Sequence, residues 1–103
     1  MANYKWYLGT DLKFLVEMTA SGFSMDDNDW SVTVYIGNKA VKEYDKSECV
    51  RDDDGNWYVC IQSDLLKKGD ISLVGHARVP DTDFDDNYRD EVDKQLVGRM
   101  LKV

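Results

Sequence analysis

Trp30-Ser31-Val32-Thr33-Val34-Tyr35-Ile36-Gly37-Asn38-Lys39 is the stretch of sequence that decides the fold. Every second residue from 30 to 36 is apolar, which is the period of two typical of a strand with one buried face. Gly37 and Asn38 both tolerate the positive φ that a tight turn needs, and residues 40–44 then return as a short strand. The stretch therefore predicts a β-hairpin.

The same alternation recurs on both sides of this hairpin. Strands are predicted at residues 11–18, 49–51, 56–62 and 71–79, and a closing strand of uncertain register at residues 92–103. Residues 63–69 predict one helical turn, with Ser63 or Asp64 as its cap and Leu65 or Leu66 turned inward. Because no helix is long enough to cross between parallel strands, we predict an all-β fold, an Ig-like antiparallel β-sandwich of about seven strands forming one domain over residues 1–103.

Aspartate carries most of the negative charge and marks the loops. The chain of 103 residues has 16 Asp but only 4 Glu, and ten of these Asp lie at residues 26–29, 52–54 and 81–86. Asp favours turns whereas Glu favours helices. The net charge of −7 argues against nucleic-acid and membrane partners. Without a signal-like or membrane-spanning apolar run, we expect synthesis in a cytoplasm.

Catalytic chemistry has little support in the sequence. His76 is the only histidine and lies in an alternating strand, without a placed nucleophile beside it. The carboxylates lie in loops rather than in an apolar pocket that would raise a pKa. We therefore predict no catalytic residues and no cofactor, and a small enzyme or inhibitor is the least supported class of function.

Residues 81–87 resemble the opening of a calcium loop, with carboxylates at alternate positions. The pattern then departs, because Asp86 replaces the glycine of the sixth position and Val92 replaces the glutamate of the twelfth. We expect a solvated turn with Phe84 and Tyr88 tucked inward, and we assign no metal ligands.

Cys49 and Cys60 are too few for a disulfide framework or a structural zinc site, so we expect reduced, structural thiols. One alternative depends on the turn between them. If Asp54-Gly55 is a two-residue turn, residues 49 and 60 lie opposite each other and could be bridged under oxidation.

The two ends of the chain are the candidate interaction sites. Residues 4–8 are more apolar and aromatic than a free terminus should be. They form either an extra strand on the chain's own sheet or a strand added to the open edge of a neighbouring subunit. The residues predicted for a protein interface are Tyr4, Trp6, Tyr7, Leu8, Leu96, Met100 and Leu101.

Three stretches carry a family resemblance: residues 8–14, residues 22–26, and residues 77–84 running on to residues 88–92. They read Leu-Gly-Thr-Asp-Leu-Lys-Phe, Gly-Phe-Ser-Met-Asp, and Ala-Arg-Val-Pro-Asp-Thr-Asp-Phe with Tyr-Arg-Asp-Glu-Val. Together they are similar to small Ig-like structural proteins of phages and prophages of Bacteroidales, and to the N-terminal modules of baseplate proteins. One departure is Asp86-Asn87, where Asp-Gly is expected.

The resemblance implies a virion component in the tail, baseplate or head fibre, present in many copies and in contact with other virion proteins. It implies a homo-oligomer and no catalytic residues. The alternative is an adhesin-like module that binds host glycan or protein through its Asp-rich and aromatic loops, with Trp57 or Tyr58 in contact with the ligand. The three tryptophans favour strand packing over a sugar-stacking platform.

Overall fold

A computed structural model describes residues 4–103, and eight strands make up most of it. They are β1 (Tyr4–Tyr7), β2 (Leu12–Val16), β3 (Trp30–Ile36), β4 (Lys39–Asp45), β5 (Val50–Arg51), β6 (Trp57–Ile61), β7 (Gly69–Pro80) and β8 (Tyr88–Leu101). Two single-turn 3₁₀ helices, Lys46–Glu48 and Ser63–Leu65, lie between strands. Within this part of the chain, no helix has the length and apolar character to cross a membrane.

The strands form two sheets, and the all-β sandwich is confirmed. The larger sheet has the order β1-β8-β7-β3-β4, and the smaller has the order β2-β6-β5. If β2 is counted as strand B, the order β8-β7-β3-β4 corresponds to the G-F-C-C′ order of a variable-type Ig sandwich, and β2-β6-β5 corresponds to its B-E-D order. One detail differs from the predicted antiparallel sandwich of about seven strands, since β1 pairs with β8 in parallel.

The core lies between the sheets and consists of the residues that the alternation placed inward. Val34, Val59 and Ile71 have no exposed surface, and Val32 and Ile61 have almost none. β3 has the bounds predicted for it and pairs with β4 across the turn at Gly37, whose φ is 60°. Neither β2 nor β7 contains a cysteine, so packing alone joins the sheets where antibody domains use a disulfide.

The β5–β6 hairpin has a register that differs by one residue from the two-residue turn considered above. Gly55 has a φ of 87°, and the Asp52 N–H donates to the Asn56 carbonyl oxygen (2.9 Å), so three residues, 53–55, connect the paired ends. Arg51 then lies opposite Trp57, and Val50 opposite Tyr58. Continued by one residue, this register places Cys49 beside Val59, so the cysteines are not cross-strand neighbours and both are free. Cys60 is exposed, which contradicts its prediction as a structural thiol.

Two predictions about local structure are wrong in detail. The single helical turn forms, but Gln62 is its N-cap and no side chain caps it; of its two leucines, Leu66 is the buried one. In the loop between β7 and β8, Phe84 and Tyr88 are exposed rather than tucked inward. The hairpin of β7 and β8 extends past the end of β3, whose Trp30 lies opposite Ala77, so β3 does not flank β7 next to this loop.

Candidate protein-protein interface

An open groove of about 790 Å³ lies where the edges of the two sheets separate. β1 and β8 form one wall and β2 forms the other. The larger side chains that line it are Tyr4, Trp6, Phe14, Leu15 and Leu96. Two of the sequence-predicted stretches, one from each end of the chain, therefore meet at one surface.

Aromatic stacking shapes the floor of this groove. The Tyr4 and Trp6 rings are stacked, with centroids 6.0 Å apart and an interplanar angle of 19°. Phe14 meets the Trp6 ring edge-on at 5.4 Å and 71°. Trp6 is half-buried against the core, whereas 70% of Tyr4 is exposed. One aromatic side chain thus anchors β1, and its neighbour offers apolar surface to solvent.

Gly98 allows β1 to approach β8 this closely. A Cβ on Gly98 would lie 2.7 Å from the Tyr4 carbonyl oxygen and would also overlap the Trp6 ring. No side chain fits there while Trp6 stays in place. Sequence reasoning missed this residue, although a glycine inside a strand commonly marks the close approach of another segment.

Two lysines stand beside the groove on a protein whose net charge is −7. The Lys13 Nζ lies 4.7 Å from the centroid of the Tyr58 ring, and Lys94 comes from β8 on the facing wall. The combination of apolar floor and basic rim suits a partner segment that carries an apolar side chain next to carboxylates.

The seven residues predicted for the interface do not share one surface in the structure. Tyr4, Trp6 and Leu96 line the groove. Tyr7 is 58% exposed and, because side chains alternate along a strand, lies on the opposite face of β1 beside its partner Leu101.

The remaining two predicted residues serve the fold. Leu8 packs against the core, and its N–H donates to the Leu101 carbonyl oxygen at 2.9 Å. Met100 has no exposed surface, because it belongs to the core and β1 covers it, so it offers nothing to a partner.

A second region, at the end of the sandwich that holds the loop between β2 and β3, is closed by polar contacts. The Asp26 carboxylate accepts two hydrogen bonds from Arg51, from Nε at 2.9 Å and from a terminal nitrogen at 3.2 Å. It accepts a third from Trp57 Nε1 at 2.9 Å. Arg51 first, and then Trp57, holds the pKa of the Asp26 carboxyl below its ordinary value, because each bond favours the charged form.

Two further side chains secure the same loop. The Lys46 Nζ donates to the carbonyl oxygens of Asp26 (2.7 Å) and Asn28 (3.1 Å), and Trp30 Nε1 donates to that of Met25 (2.8 Å). The Trp30 and Trp57 rings meet edge-on at 5.2 Å, 87° apart. The sequence predicted Asp26 only as a turn residue, and its hydrogen bonds to Arg51 of β5 and Trp57 of β6 were not predicted.

The tryptophans do not form one platform. Trp30 is buried, Trp57 packs against Trp30 and Lys46, and Trp6 belongs to the groove between the sheet edges. Tyr58 is half-buried beneath Lys13. The rings considered for glycan contact are therefore already engaged by side chains of this chain.

Two groups with nucleophilic or acid-base potential, His76 and Cys49, border the same depression. His76 is exposed on the outer face of β7, beside a broad depression of about 950 Å³ that has acidic and basic walls. The Cys49 thiol borders the same depression, but burial, together with Glu48, raises its pKa to about 11, so it stays protonated at neutral pH.

Two of the four carboxylates of the loop at residues 81–87, those of Asp81 and Asp86, are already engaged. Asp81 accepts hydrogen bonds from the Asp83 N–H (3.0 Å) and from Arg89 (2.8 Å), which lower the pKa of its carboxyl in that order. Asp86 accepts bonds from the Tyr88 N–H and from Arg78. Between residues 4 and 103, no three His, Cys, Asp or Glu side chains are grouped as metal ligands.

Comparison of the chain with protein-family models, with curated proteins and with solved structures finds no match.

Proposed function

We propose that this chain is a non-enzymatic structural component of a phage particle, in the tail, baseplate or head fibre, and that it assembles through protein-protein contacts. The observation that carries the proposal is the groove at the open sheet edge, where Tyr4 is 70% exposed and Leu96 is 50% exposed. The phage setting is supported by the resemblance to Ig-like virion proteins at residues 8–14, 22–26, 77–84 and 88–92.

The groove has the composition of an interface anchor. Aromatic residues dominate the binding energy of many interfaces, and they do so best where a rigid scaffold holds them. Trp6 is fixed by Phe14 and by the backbone at Gly98. Tyr4 therefore stands on a rigid base, and a partner that covers it loses little conformational entropy on binding.

Mass spectrometry of purified particles tests the proposal. The unmodified chain is expected among the particle proteins at many copies per particle. A double variant, Tyr4→Ser with Leu96→Ser, keeps the core intact and is expected to reduce incorporation at least tenfold. Absence of the unmodified chain from purified particles would contradict the proposed function.

Val50→Ser is the matched control for the double variant. Val50 is exposed to a similar extent, 47%, but lies on β5 at the far edge of the other sheet. It should be incorporated as efficiently as the unmodified chain. An equal loss for both variants would show that the groove is not the contact surface.

A further inference from the structure

The long hairpin of β7 and β8 leaves one sheet edge open. β1 pairs only with residues 98–101 of β8, so residues 88–96 meet no strand on that side within residues 4–103. An edge of this kind presents a row of unpaired backbone N–H and C=O groups that can pair with another strand. The side chains along it indicate which strand fits.

By alternation from Val92, five residues of this edge lie on the side of the sheet that His76 occupies, and the last two, Lys94 and Leu96, also border the groove at the sheet edge. Val92 pairs with His76, and His76 points away from the core because the next residue, Ala77, is buried in it. Read along the strand, the outer-face residues are Tyr88, Asp90, Val92, Lys94 and Leu96. In this direction the pattern is apolar, acid, Val, base, apolar. In the opposite direction it is apolar, base, Val, acid, apolar, so an antiparallel second copy places each acid opposite a base.

We propose that two copies of this chain pair through their β8 edges, antiparallel about a two-fold axis at Val92, which joins their larger sheets into one. Val92 then faces Val92 of the second copy, Asp90 faces Lys94, and Tyr88 faces Leu96. The proposal rests on the proposed function, assembly through protein contacts, and names the partner at this edge.

The charges support this register. Asp90 and Lys94 are exposed, and among residues 4–103 they take part in no ion pair. Other charged groups of the same hairpin do have partners, such as Arg78 with Asp86 at 3.4 Å and Arg89 with Asp81 at 2.8 Å. A second copy supplies Asp90 and Lys94 each with an opposite charge directly across the strands.

The apolar members of the series are exposed in the single chain. Val92 is 61%, Leu96 50% and Tyr88 39% exposed, and the Arg78 guanidinium stacks on the Tyr88 ring at 4.4 Å. Opposed residues of an antiparallel pair lie about 4.5 to 5.5 Å apart at Cα. Pairing would therefore cover all three side chains in each copy.

The other face of the same pairing is unfavourable and makes the register testable. There, Glu91 lies opposite Asp93 of the second copy, and like charges in that position repel. The Arg89 Nε, 3.7 Å from a Glu91 oxygen, offsets part of this charge. Loss of the charge at residue 93 should thus strengthen the dimer, whereas the same loss at residue 90 should weaken it.

Sedimentation equilibrium over a range of concentrations tests the charge pattern on the full chain. Asp90→Lys and Lys94→Asp should each raise the dissociation constant about tenfold or more, and the double variant should restore it to within about threefold. Asp93→Asn should lower the constant and Asp90→Asn should raise it. A monomer at every concentration, or a double variant as weak as the single ones, would overturn the proposal.

Disulfide trapping tests the position of the axis. Val92→Cys in a Cys49→Ser, Cys60→Ser background should oxidise to a covalent dimer, because opposed Cα atoms in such a pair are within disulfide range. Val50→Cys in the same background is the control and should stay monomeric. Equal cross-linking of both variants would contradict the placement of the two-fold axis at Val92. If the protein is dimeric but absent from particles, only the proposed function is contradicted. If it is monomeric but present in particles, only the proposed dimer is contradicted.

Discussion

The loop around Asp26 and the edge of β8 are both rich in charge, yet they differ in where their partners lie. The Asp26 carboxylate receives bonds from Arg51 and Trp57 of the same chain. Asp90 and Lys94 stand exposed at the edge, outside the ion pairs formed within residues 4–103. Charge satisfied inside the chain serves the fold, and complementary charge left at an open edge is available for assembly.

The largest expected effect on stability comes from comparing a buried with an exposed apolar side chain. Trp30 is 4% exposed and packs on Trp57, whereas Leu96 is 50% exposed at the edge. Trp30→Ala should cost about 3 to 5 kcal/mol of the free energy of unfolding, since it leaves a cavity and removes a hydrogen bond. Leu96→Ala should cost less than about 0.5 kcal/mol. Urea denaturation of dilute protein measures both, and similar costs would refute the contrast.

A second test concerns the link between the core and the edge. Gly98→Ala should destabilise the protein by about 1 to 3 kcal/mol, because the new methyl group overlaps the Tyr4 backbone and Trp6. Hydrogen exchange at the Leu8 N–H should quicken as β1 loosens.

Gly75→Ala is the control for Gly98→Ala. Its new Cβ would meet the Met18 sulfur at 2.9 Å, and that flexible thioether can move away. The cost should therefore be smaller than at Gly98. An equal or larger cost would show that the approach of β1 is not what requires glycine at residue 98.

A third test uses pH on the closed region. Because the folded-state pKa of Asp26 lies below its unfolded value near 3.8, its stabilisation is present above that pH and is lost as the pH falls through the folded value. Asp26→Asn should lower the melting temperature at pH 7 and flatten its fall below pH 4. Asp53→Asn, in the exposed turn between β5 and β6, is the control. An unchanged melting curve for Asp26→Asn would show that this contact contributes nothing.

The smallest expected effect is on reactivity rather than stability. At pH 8 the Cys49 thiol, with a pKa of about 11, holds about a hundredfold less thiolate than a thiol of ordinary pKa 9. Cys60 is exposed, so iodoacetamide should modify it at least tenfold faster than Cys49. Peptide mass spectrometry gives both rates. Equal rates, or an intrachain disulfide after mild oxidation, would contradict the hairpin register.

Much of the fold was predictable because the apolar alternation is a local signal. β3 follows from residues 30–36 with its correct bounds, and residues 57–61 place their apolar side chains inward as expected. The turn at residues 52–55 was also predicted, but not its length. One residue of difference in a turn changes every cross-strand neighbour, and this is how Cys49 and Cys60 came to be considered opposite each other.

The site was only partly predictable, because it forms from segments far apart in the chain. Apolar character singled out Tyr4, Trp6 and Leu96, which do meet at the groove. The same criterion selected Met100, which is buried, since hydrophobicity does not distinguish a core residue from an interface residue. The requirement for glycine at residue 98 becomes visible only when Trp6 lies against it.

By itself, the sequence determined the all-β class, the inward face of most strands and the loops that carry aspartate, because each depends on neighbours within a few residues. Only the tertiary structure decided that β1 pairs in parallel with β8 and that Asp26 joins β5 and β6. It also decided that residues 88–96 of β8 have no partner strand on the β1 side among residues 4–103. These features depend on contacts between distant segments, which no local pattern specifies.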